Sequence, residues 1–255
     1  MKKLSKIILC ILCSLSLIAC SNTTTQQEEV KEEEIVETNE SSTSYEEYDE
    51  INKEWDSKKA INSDYQGKIY FESGLIDLDF VQADDNEKYS RVDWKTMTSD
   101  QEGSVYMDYE CKLNSRNIIL YGHYVYPEID PTQTHMFSPL QKLTKQENYE
   151  ENKYIYIQFE KEIRKYEICN VFYCQLEEEN GTYYCPDDMP FNEVAFTTDE
   201  FETYKKRMLE CAFYQTGVDF DHSDQFLTLQ TCVYNDESQM LIIFSKLVET
   251  VKTRE

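Results

Sequence analysis

The chain has 255 residues, of which 50 are Asp or Glu and 25 are Lys or Arg, so its formal net charge is −25. This excess of negative charge argues against nucleic acid as a partner and against direct adhesion to an anionic lipid surface. Tyr and Phe contribute 20 and 12 residues, and many lie in short runs with Ile and Val, which favours β-structure.

The first 20 residues have the composition of an export signal. Lysines precede an apolar run from Ile7 to Ala19, which is too short for a bilayer that needs about 20 residues. The run ends Leu-Ile-Ala-Cys, which resembles a lipobox and implies cleavage before Cys20 and diacylation of its sulfur. Residues 1–19 are therefore predicted to be a lipoprotein signal peptide. The alternative is a plain signal anchor in which Cys20 is a small apolar residue.

Residues 20–58 are predicted to form an acidic extended linker. The stretch from Glu28 to Glu54 holds 12 acidic residues against two lysines, a local net charge of 2 − 12 = −10, and self-repulsion keeps such a segment extended. The end of this interval, Tyr45 to Ile61, has an alternative interpretation as a helix that packs on the following domain.

Residues 59–255 are long enough for one domain with its own core, and most of the pattern indicates short strands. The absence of a βαβ rhythm favours a closed antiparallel or mixed barrel over a doubly wound sheet. Asn180-Gly181 is a strong turn signal. Eight strands are predicted: 68–72, 75–81, 104–107, 118–121, 153–159, 164–176, 226–231 and 241–248.

One long helix is predicted near residue 200, between the sixth and seventh strands. Thr198 can cap its N-terminus, residues 199 and 200 are acidic as suits a first turn, and Gly217 lies beyond its end. Spacings of three and four place its apolar residues on one face, which we expect to pack against the domain. These residues are Phe201, Tyr204, Met208 and Cys211.

Two strand ends carry residues suited to thiolate chemistry. Leu227 to Thr231 alternates apolar and polar residues, which predicts one buried face, and Cys232 follows beside a polar turn. His123 ends another predicted strand. A thiol with a pKa near 8.5 is mostly protonated at neutral pH, so it needs a neighbouring base or positive charge. His123 and Cys232 are therefore the candidate catalytic pair. The alternative for Cys232 is a small core residue.

Several short segments resemble the sortases, the cysteine transpeptidases of Gram-positive cell surfaces. Thr228 to Cys232 match the family pattern T-L-x-T-C, and Tyr121 to His123 match a strand ending in Y-G-H. The other resembling segments follow in the family's order: Asn62–Ile69, Val81–Tyr89 (V-Q-x-x-D-N-x-x-Y), Gly103–Tyr109 (G-S-I-F-x-D-Y) and Met136–Leu140 (M-F-x-x-L).

The resemblance implies a sortase-like closed eight-stranded barrel, with the N-terminal helix and the inserted long helix of class B. It implies that the Cys232 thiolate attacks a threonine carbonyl in an LPxTG-type sorting motif of a surface protein. A peptidoglycan cross-bridge or precursor amine then resolves the acyl-enzyme, and His123 protonates the leaving amine. No cofactor and no metal site are implied. The protein would act on the extracellular face of the cytoplasmic membrane of a Gram-positive bacterium, lipid-anchored through Cys20.

The sequence departs from the family at one catalytic position. Sortases place an arginine at the start of the strand after the cysteine, but no arginine lies between Cys232 and Lys252. Met240 occupies the corresponding position, or Gln239 if the turn shifts by one, and with Thr231 these are the candidate oxyanion or substrate contacts. Three interpretations stay open: a slow sortase, a sortase that recruits its cation elsewhere, and a sortase-like lipoprotein that binds sorting-type peptides or cell wall as a scaffold.

The remaining cysteines and histidines suggest no further site. Cys174 and Cys185 flank the Asn180-Gly181 turn, so a disulfide between them is an alternative to two free thiols, although the spacing is loose. The Cys and His spacings match no zinc pattern. His135 and His222 lie in polar loops and are predicted to be solvated surface residues.

Overall fold

A computed structural model describes residues 41–234 and 236–254. The predicted signal peptide, the predicted lipidation site Cys20 and the linker up to residue 40 lie outside the described residues. The described residues form ten strands and three α-helices: α1 Ser41–Ile61, β1 Tyr65–Tyr70, β2 Asp77–Val81, β3 Val105–Met107, β4 Asn117–Tyr121, α2 Tyr149–Asn152, β5 Tyr154–Gln158, β6 Glu162–Gln175, β7 Glu177–Glu179, β8 Thr182–Tyr184, α3 Thr198–Cys211, β9 Phe226–Val233 and β10 Asp236–Lys252.

Eight of the strands close into a barrel in the order β1-β2-β3-β4-β9-β10-β6-β5, and β7 and β8 form a separate two-stranded sheet. The β2–β3 and β4–β9 pairs are parallel and the others are antiparallel. The predicted closed eight-stranded barrel is confirmed. Strand β10 is longer than predicted, and its pairing with β6 shifts register at two points, which is how a long strand bends around a barrel.

Residues 226–231 of β9 and 241–245 of β10 are buried on both faces of the sheet. Leu227 and Leu229 contribute to the cluster inside the barrel, whereas Phe226, Ile242 and Phe244 contribute to a second cluster with residues of α3. The prediction of one buried face for residues 227–231 is therefore wrong, because α3 and the segment before it cover the outer face. The polar residues on that face are bonded there. The Thr228 hydroxyl donates to Asn117 Oδ1 at 2.8 Å and Gln230 Nε2 donates to the Phe191 carbonyl at 3.1 Å.

Helix α3 lies between β6 and β9, the sixth and seventh strands of the barrel, and buries the predicted apolar face. Phe201, Tyr204 and Met208 are fully buried. The N-cap, however, is Thr197 and not Thr198. The Thr197 hydroxyl accepts from the Glu200 N–H at 3.3 Å, and the Glu200 carboxylate accepts from the Thr197 N–H at 2.7 Å. This reciprocal capping box satisfies two donors that no carbonyl of the helix can reach.

We predict that Thr197→Ala lowers the free energy of unfolding by about 1 kcal/mol, because it removes the acceptor for the first turn of α3. Thr198→Ala is the matched control, since Thr198 is exposed and its side chain caps nothing, and we expect a change within about 0.5 kcal/mol. Urea denaturation followed by circular dichroism measures both. Equal losses for the two variants would contradict the assignment of the cap.

Helix α1 begins at Ser41, so residues 41–58 of the interval predicted as extended linker are helical. The helix is anchored by Trp55, which is buried with its ring 5.8 Å from that of Tyr65. Asn52 Nδ2 donates to the Thr253 carbonyl at 2.8 Å, and Arg254 pairs with Asp56 at 3.0 Å. These contacts favour the alternative interpretation, a helix packed on the domain. Within residues 41–234 and 236–254, no helix has both the length and the apolar composition that crossing a bilayer requires.

Cys174 and Cys185 are both free cysteines in the structure. The β7–β8 pairing sets Glu177 opposite Tyr184, and this register leaves residues 174 and 185 offset from one another. The Cys185 thiol instead donates to the Met189 carbonyl at 2.7 Å. Burial raises the pKa of Cys174 to about 12 and that of Cys185 to about 11, so both stay protonated thiols at neutral pH.

Candidate active site

The parallel pairing of β4 with β9 brings the candidate catalytic residues to one edge of the barrel. Tyr121 lies opposite Gln230 in this pairing, and the Gly122 N–H still donates to the Gln230 carbonyl at 3.2 Å. His123 and Cys232 each lie two residues beyond the Tyr121–Gln230 pair. Because parallel neighbours run to the same edge of a sheet, the two residues lie side by side at that edge.

Both residues line one cavity of about 540 Å³. One wall comes from the loop between β2 and β3 through Arg91 and Gln101. A second comes from the segment after β4, residues 123–126 with Ile129, and β9 contributes Cys232 and Val233. Cys232 is half-buried, so its sulfur is not enclosed in the hydrocarbon core. The structure thus places the predicted pair together at an open cavity.

The ring of His123 is held by the β2–β3 loop. Its Nε2 lies 2.7 Å from the Ser90 carbonyl oxygen. Since a carbonyl only accepts, Nε2 carries the proton, and Nδ1 is the acceptor of the neutral ring. Burial lowers the pKa of His123 below its ordinary value and the positive charge of Arg91 lowers it further, while the bond to Ser90 acts in the opposite direction. His123 is therefore a neutral imidazole at neutral pH.

The position of Ser90 depends on a glycine of the G-S-I-F-x-D-Y-like segment. Gly103 has φ +61°, and a Cβ on it would lie 2.5 Å from the Ser90 carbonyl oxygen, so only glycine permits this approach. Ser104 fixes the same loop, because its N–H donates to the Tyr89 carbonyl at 2.9 Å and its hydroxyl to the Val92 carbonyl at 2.8 Å. The segments that carry the family resemblance therefore form the support for His123.

Asp108 and Phe137 anchor the other residues of those segments. The Asp108 carboxylate accepts from Asn86 Nδ2 at 2.7 Å and from the Tyr121 hydroxyl at 2.8 Å. A Cβ on Gly122 would lie 2.6 Å from the Phe137 ring, which explains the glycine of Y-G-H. These contacts fix the end of β4 from which His123 projects.

The structure places Met240, and not Gln239, directly opposite Cys232. Paired residues of antiparallel neighbours share a face of the sheet, so Met240 lies beside Cys232, half-buried against the outer cluster. Thr231 and Gln239 belong to the other face because side chains alternate. Gln239 Nε2 donates to Gln175 Oε1 at 3.2 Å, and the buried Thr231 hydroxyl has no hydrogen bond to any described residue.

Neighbouring polar groups surround the end of β9. Gln141 Nε2 donates to the Cys232 carbonyl at 3.2 Å, and the Tyr173 hydroxyl donates to Gln141 Oε1 at 3.0 Å. Burial raises the pKa of Tyr106 to about 12, and a Cys232 thiolate contributes to the increase, so the phenol lies within electrostatic range of the sulfur. The bond from Gln141, which Tyr173 holds in place, fixes the backbone from which Cys232 projects.

Arg91 lies outside the sequence position where the resemblance calls for an arginine, and the structure places it in the cavity wall. The other arginines are engaged away from the cavity. Arg164 pairs with Glu162, Arg207 with Asp188 and Glu210, and Arg254 with Asp56, while Arg116 donates to the carbonyls of Ser223 and Asp224. The local sequence around Arg91 carries no signal for this placement.

The two other histidines differ from one another. His135 is exposed as predicted, and a bond from its Nδ1 to the Glu102 carboxylate at 3.0 Å raises its pKa. His222 is half-buried, and its Nε2 donates to the Phe196 carbonyl at 2.8 Å. The prediction of a solvated His222 is therefore wrong. No group of three or more His, Cys, Asp or Glu side chains in residues 41–234 and 236–254 is arranged to hold a metal ion.

Comparison with solved structures identifies the architecture. Sortase B of Clostridium perfringens is 25% identical, with a TM-score of 0.64 over 76% of this chain and 99% of that chain. A Staphylococcus aureus sortase B–substrate complex is 19% identical, with a TM-score of 0.66 over 81% of this chain and 92% of that one. Sortase B from Bacillus anthracis in complex with AAEK2 is 23% identical, with a TM-score of 0.64 over 80% and 94%. No protein-family model and no curated protein matches the chain. The chain has a sortase-like fold of the sortase B kind.

Proposed function

We propose that this chain, built on the sortase B fold, is a cysteine transpeptidase that uses Cys232 as nucleophile and His123 as acid and base. The observation that carries the proposal is the parallel β4–β9 pairing, which delivers both residues to the same cavity of about 540 Å³. A buried core cysteine would need neither a histidine nor an open cavity beside it.

The proposed reaction is acyl transfer from a sorting motif to an amine. His123 Nδ1, the nitrogen not bonded to Ser90, takes the thiol proton of Cys232, and the sulfur attacks the threonine carbonyl. The carbon–nitrogen bond then breaks, and the imidazolium returns the proton to the leaving amine. An incoming cell-wall amine attacks the thioester, gives its proton to His123 and releases the Cys232 thiolate, which takes that proton back from the imidazolium to regenerate the thiol. Atoms and charge balance over the cycle.

The cavity offers surfaces that suit an extended peptide. Tyr124, Tyr126 and Tyr234 form a cluster with ring centroids 5.8 to 6.0 Å apart, and Tyr124 and Tyr126 also line the cavity. Tyr126, Tyr234 and Ile129 are exposed. Aromatic rings of this kind supply apolar contact area at low cost in side-chain entropy. We propose that they bind the apolar residues of the sorting motif.

The cellular setting of the proposal rests on the N-terminal sequence alone. A lipid on Cys20 would hold the enzyme at the outer face of the cytoplasmic membrane, where surface proteins and peptidoglycan amines meet. The acidic residues that follow would act as a tether. Surface proteins with a sorting motif and a peptidoglycan amine are accordingly the proposed partners.

The test is formation of a thioester on Cys232. We expect the purified full-length chain, incubated with a panel of LPxTG-type peptides, to gain the mass of the acyl fragment in a single turnover. Peptide mapping locates the adduct, and Cys232→Ala is the control that must not acquire it. Peptide binding without any adduct on Cys232 would contradict the enzyme and favour the alternative below.

A second candidate function is favoured by Met240. This residue occupies the position beside Cys232 where the resemblance calls for arginine, and a thioether offers neither charge nor a hydrogen-bond donor. Loss of one oxyanion donor typically costs about 10²–10³ in rate. A catalytically impaired lipoprotein that captures sorting-type peptides or cell wall as a scaffold would keep the cavity and the tyrosine cluster and show no turnover.

A further inference from the structure

We propose that Arg91 is the cation of this site and that it donates hydrogen bonds to the substrate carbonyl from the β3 side of the cavity. The proposal rests on the proposed transpeptidase function and adds a residue to it. The barrel order places β3 and β10 on opposite sides of the β4–β9 pair. Arg91 therefore approaches from the side opposite Met240, the position where the sequence lacks its arginine.

The chain fixes Arg91 close to the catalytic pair. It follows Ser90, whose carbonyl binds His123 at 2.7 Å, and consecutive Cα atoms are about 3.8 Å apart. Its own carbonyl accepts from the Asp100 N–H at 2.9 Å. The contacts that hold Ser90 against His123 thus also hold the backbone of Arg91 at the cavity.

One nitrogen of the Arg91 guanidinium is hydrogen-bonded within the protein, and its other N–H groups can bind a ligand. Nη1 donates to the Gln101 carbonyl at 2.5 Å, and no carboxylate of residues 41–234 or 236–254 lies within ion-pair distance of Arg91. A guanidinium has five N–H donors in a planar fork. The remaining donors can therefore serve a ligand.

The positive charge of Arg91 suits the negative charge that develops on the reacting groups. Among the described residues that line the cavity it is the one with a permanent charge. It acts electrostatically on His123 and on Tyr106, and Tyr106 is also within range of a Cys232 thiolate. The same charge favours the thiolate over the thiol and, after attack, the oxyanion over the neutral carbonyl. Arg91 itself neither gives nor takes a proton.

The experiment compares wild type, Arg91→Gln, Arg91→Lys and the control Arg116→Gln in the full-length chain. Arg116 also binds carbonyl oxygens, but it lies before the start of β4, at the end of that strand far from His123. The first measurement is the rate of thioester formation with a peptide that acylates wild type. The second needs no substrate and follows the pH dependence of Cys232 alkylation by iodoacetamide.

We expect Arg91→Gln to slow acylation about 10²-fold and to shift the alkylation profile to higher pH, because the thiolate loses a neighbouring positive charge. Arg91→Lys keeps the positive charge and should retain the wild-type pH dependence of alkylation. It should still acylate more slowly than wild type, because an ammonium lacks the planar pair of N–H donors of a guanidinium. Arg116→Gln should match wild type in both measurements. Among the described residues, the charged and titratable side chains that line the cavity are Arg91, His123, Tyr124, Tyr126 and Cys232. Tyr106 also lies within electrostatic range of Cys232. No other lining cation can therefore substitute for Arg91.

The outcomes separate this proposal from the function on which it rests. If wild type forms the thioester and Arg91→Gln matches it in both measurements, Arg91 has no role in the reaction and the proposed transpeptidase function is unaffected. Absence of a thioester with every peptide would count against the transpeptidase. The alkylation profile would then test Arg91 by itself. A shift of the Arg91→Gln profile to higher pH would uphold its role as the cation beside Cys232, and an unshifted profile would overturn that role. Thermal denaturation of each variant shows whether a change reflects unfolding.

Discussion

His123→Gln is expected to slow acylation of Cys232 by about 10²–10⁴-fold, the usual contribution of a general acid–base residue. The loss follows from the proton path, since the thiol must lose a proton and the leaving amine must gain one. Glutamine can keep the hydrogen bond to the Ser90 carbonyl that His123 Nε2 makes at 2.7 Å, but it cannot take up a proton. The loop should therefore stay in place while the chemistry is lost. Single-turnover mass spectrometry measures the rate.

The matched control for this variant is His135→Gln. His135 belongs to the same segment after β4, but it is exposed and bonds to Glu102, so we expect acylation within about twofold of wild type, as for most surface substitutions. Peptide affinity, measured with the Cys232→Ala background to prevent reaction, should be unchanged by His123→Gln. A His123 variant that acylates as fast as the His135 variant would remove His123 from the mechanism.

The strands could be predicted from the sequence because their signals are local. Alternating and apolar runs, and the turn residues between them, lie within a few residues of one another. Each of the eight predicted strands accordingly overlaps a strand of the observed barrel. The two neighbouring threonines at the start of α3 show the limit of such signals. Either can cap a helix, and the choice of Thr197 depends on Glu200 lying three residues beyond it.

The burial of β9 could not be predicted from its pattern. Thr228 and Gln230 alternate with leucines and so indicate a solvated face, yet both are buried and bonded to Asn117 and to the Phe191 carbonyl. These partners are distant in sequence and reach β9 only when the barrel closes and α3 covers it. A polar residue in a strand indicates a bonded side chain as well as a solvated one.

Cys232 and His123 could be predicted from the sequence, but Arg91 could not. Cys232 and His123 were identified because each lies in a motif, although only the parallel β4–β9 pairing shows why they meet. Arg91 lies two residues after the motif tyrosine, Tyr89, and matches no pattern itself. Its place in the cavity follows from Gly103 and Ser104, which fold the β2–β3 loop back on itself, and no local rule connects these residues with Cys232.

Met240→Arg is expected to restore most of the roughly 10²-fold loss caused by Arg91→Gln. Met240 lies opposite Cys232 on the same face, so an arginine there brings a guanidinium to the sulfur from the β10 side. Its aliphatic stem can cover the apolar surface that Met240 now contacts, with the charged end at the cavity. In the wild-type background the same substitution should raise the acylation rate less than about tenfold, because Arg91 already supplies the charge. A double-mutant cycle measures this coupling between residues 91 and 240.

Gln239→Arg is the control for this cycle, because residue 239 pairs with Gln175 and belongs to the other face of β10. It adds the same charge one residue away without presenting it to Cys232. In the Arg91→Gln background, rescue by Met240→Arg and none by Gln239→Arg would show that the site needs one cation at the sulfur and accepts it from either side. Equal rates for the two double variants would mean that charge near Cys232 does not limit the reaction, and the absence of arginine after Cys232 would then need a different explanation.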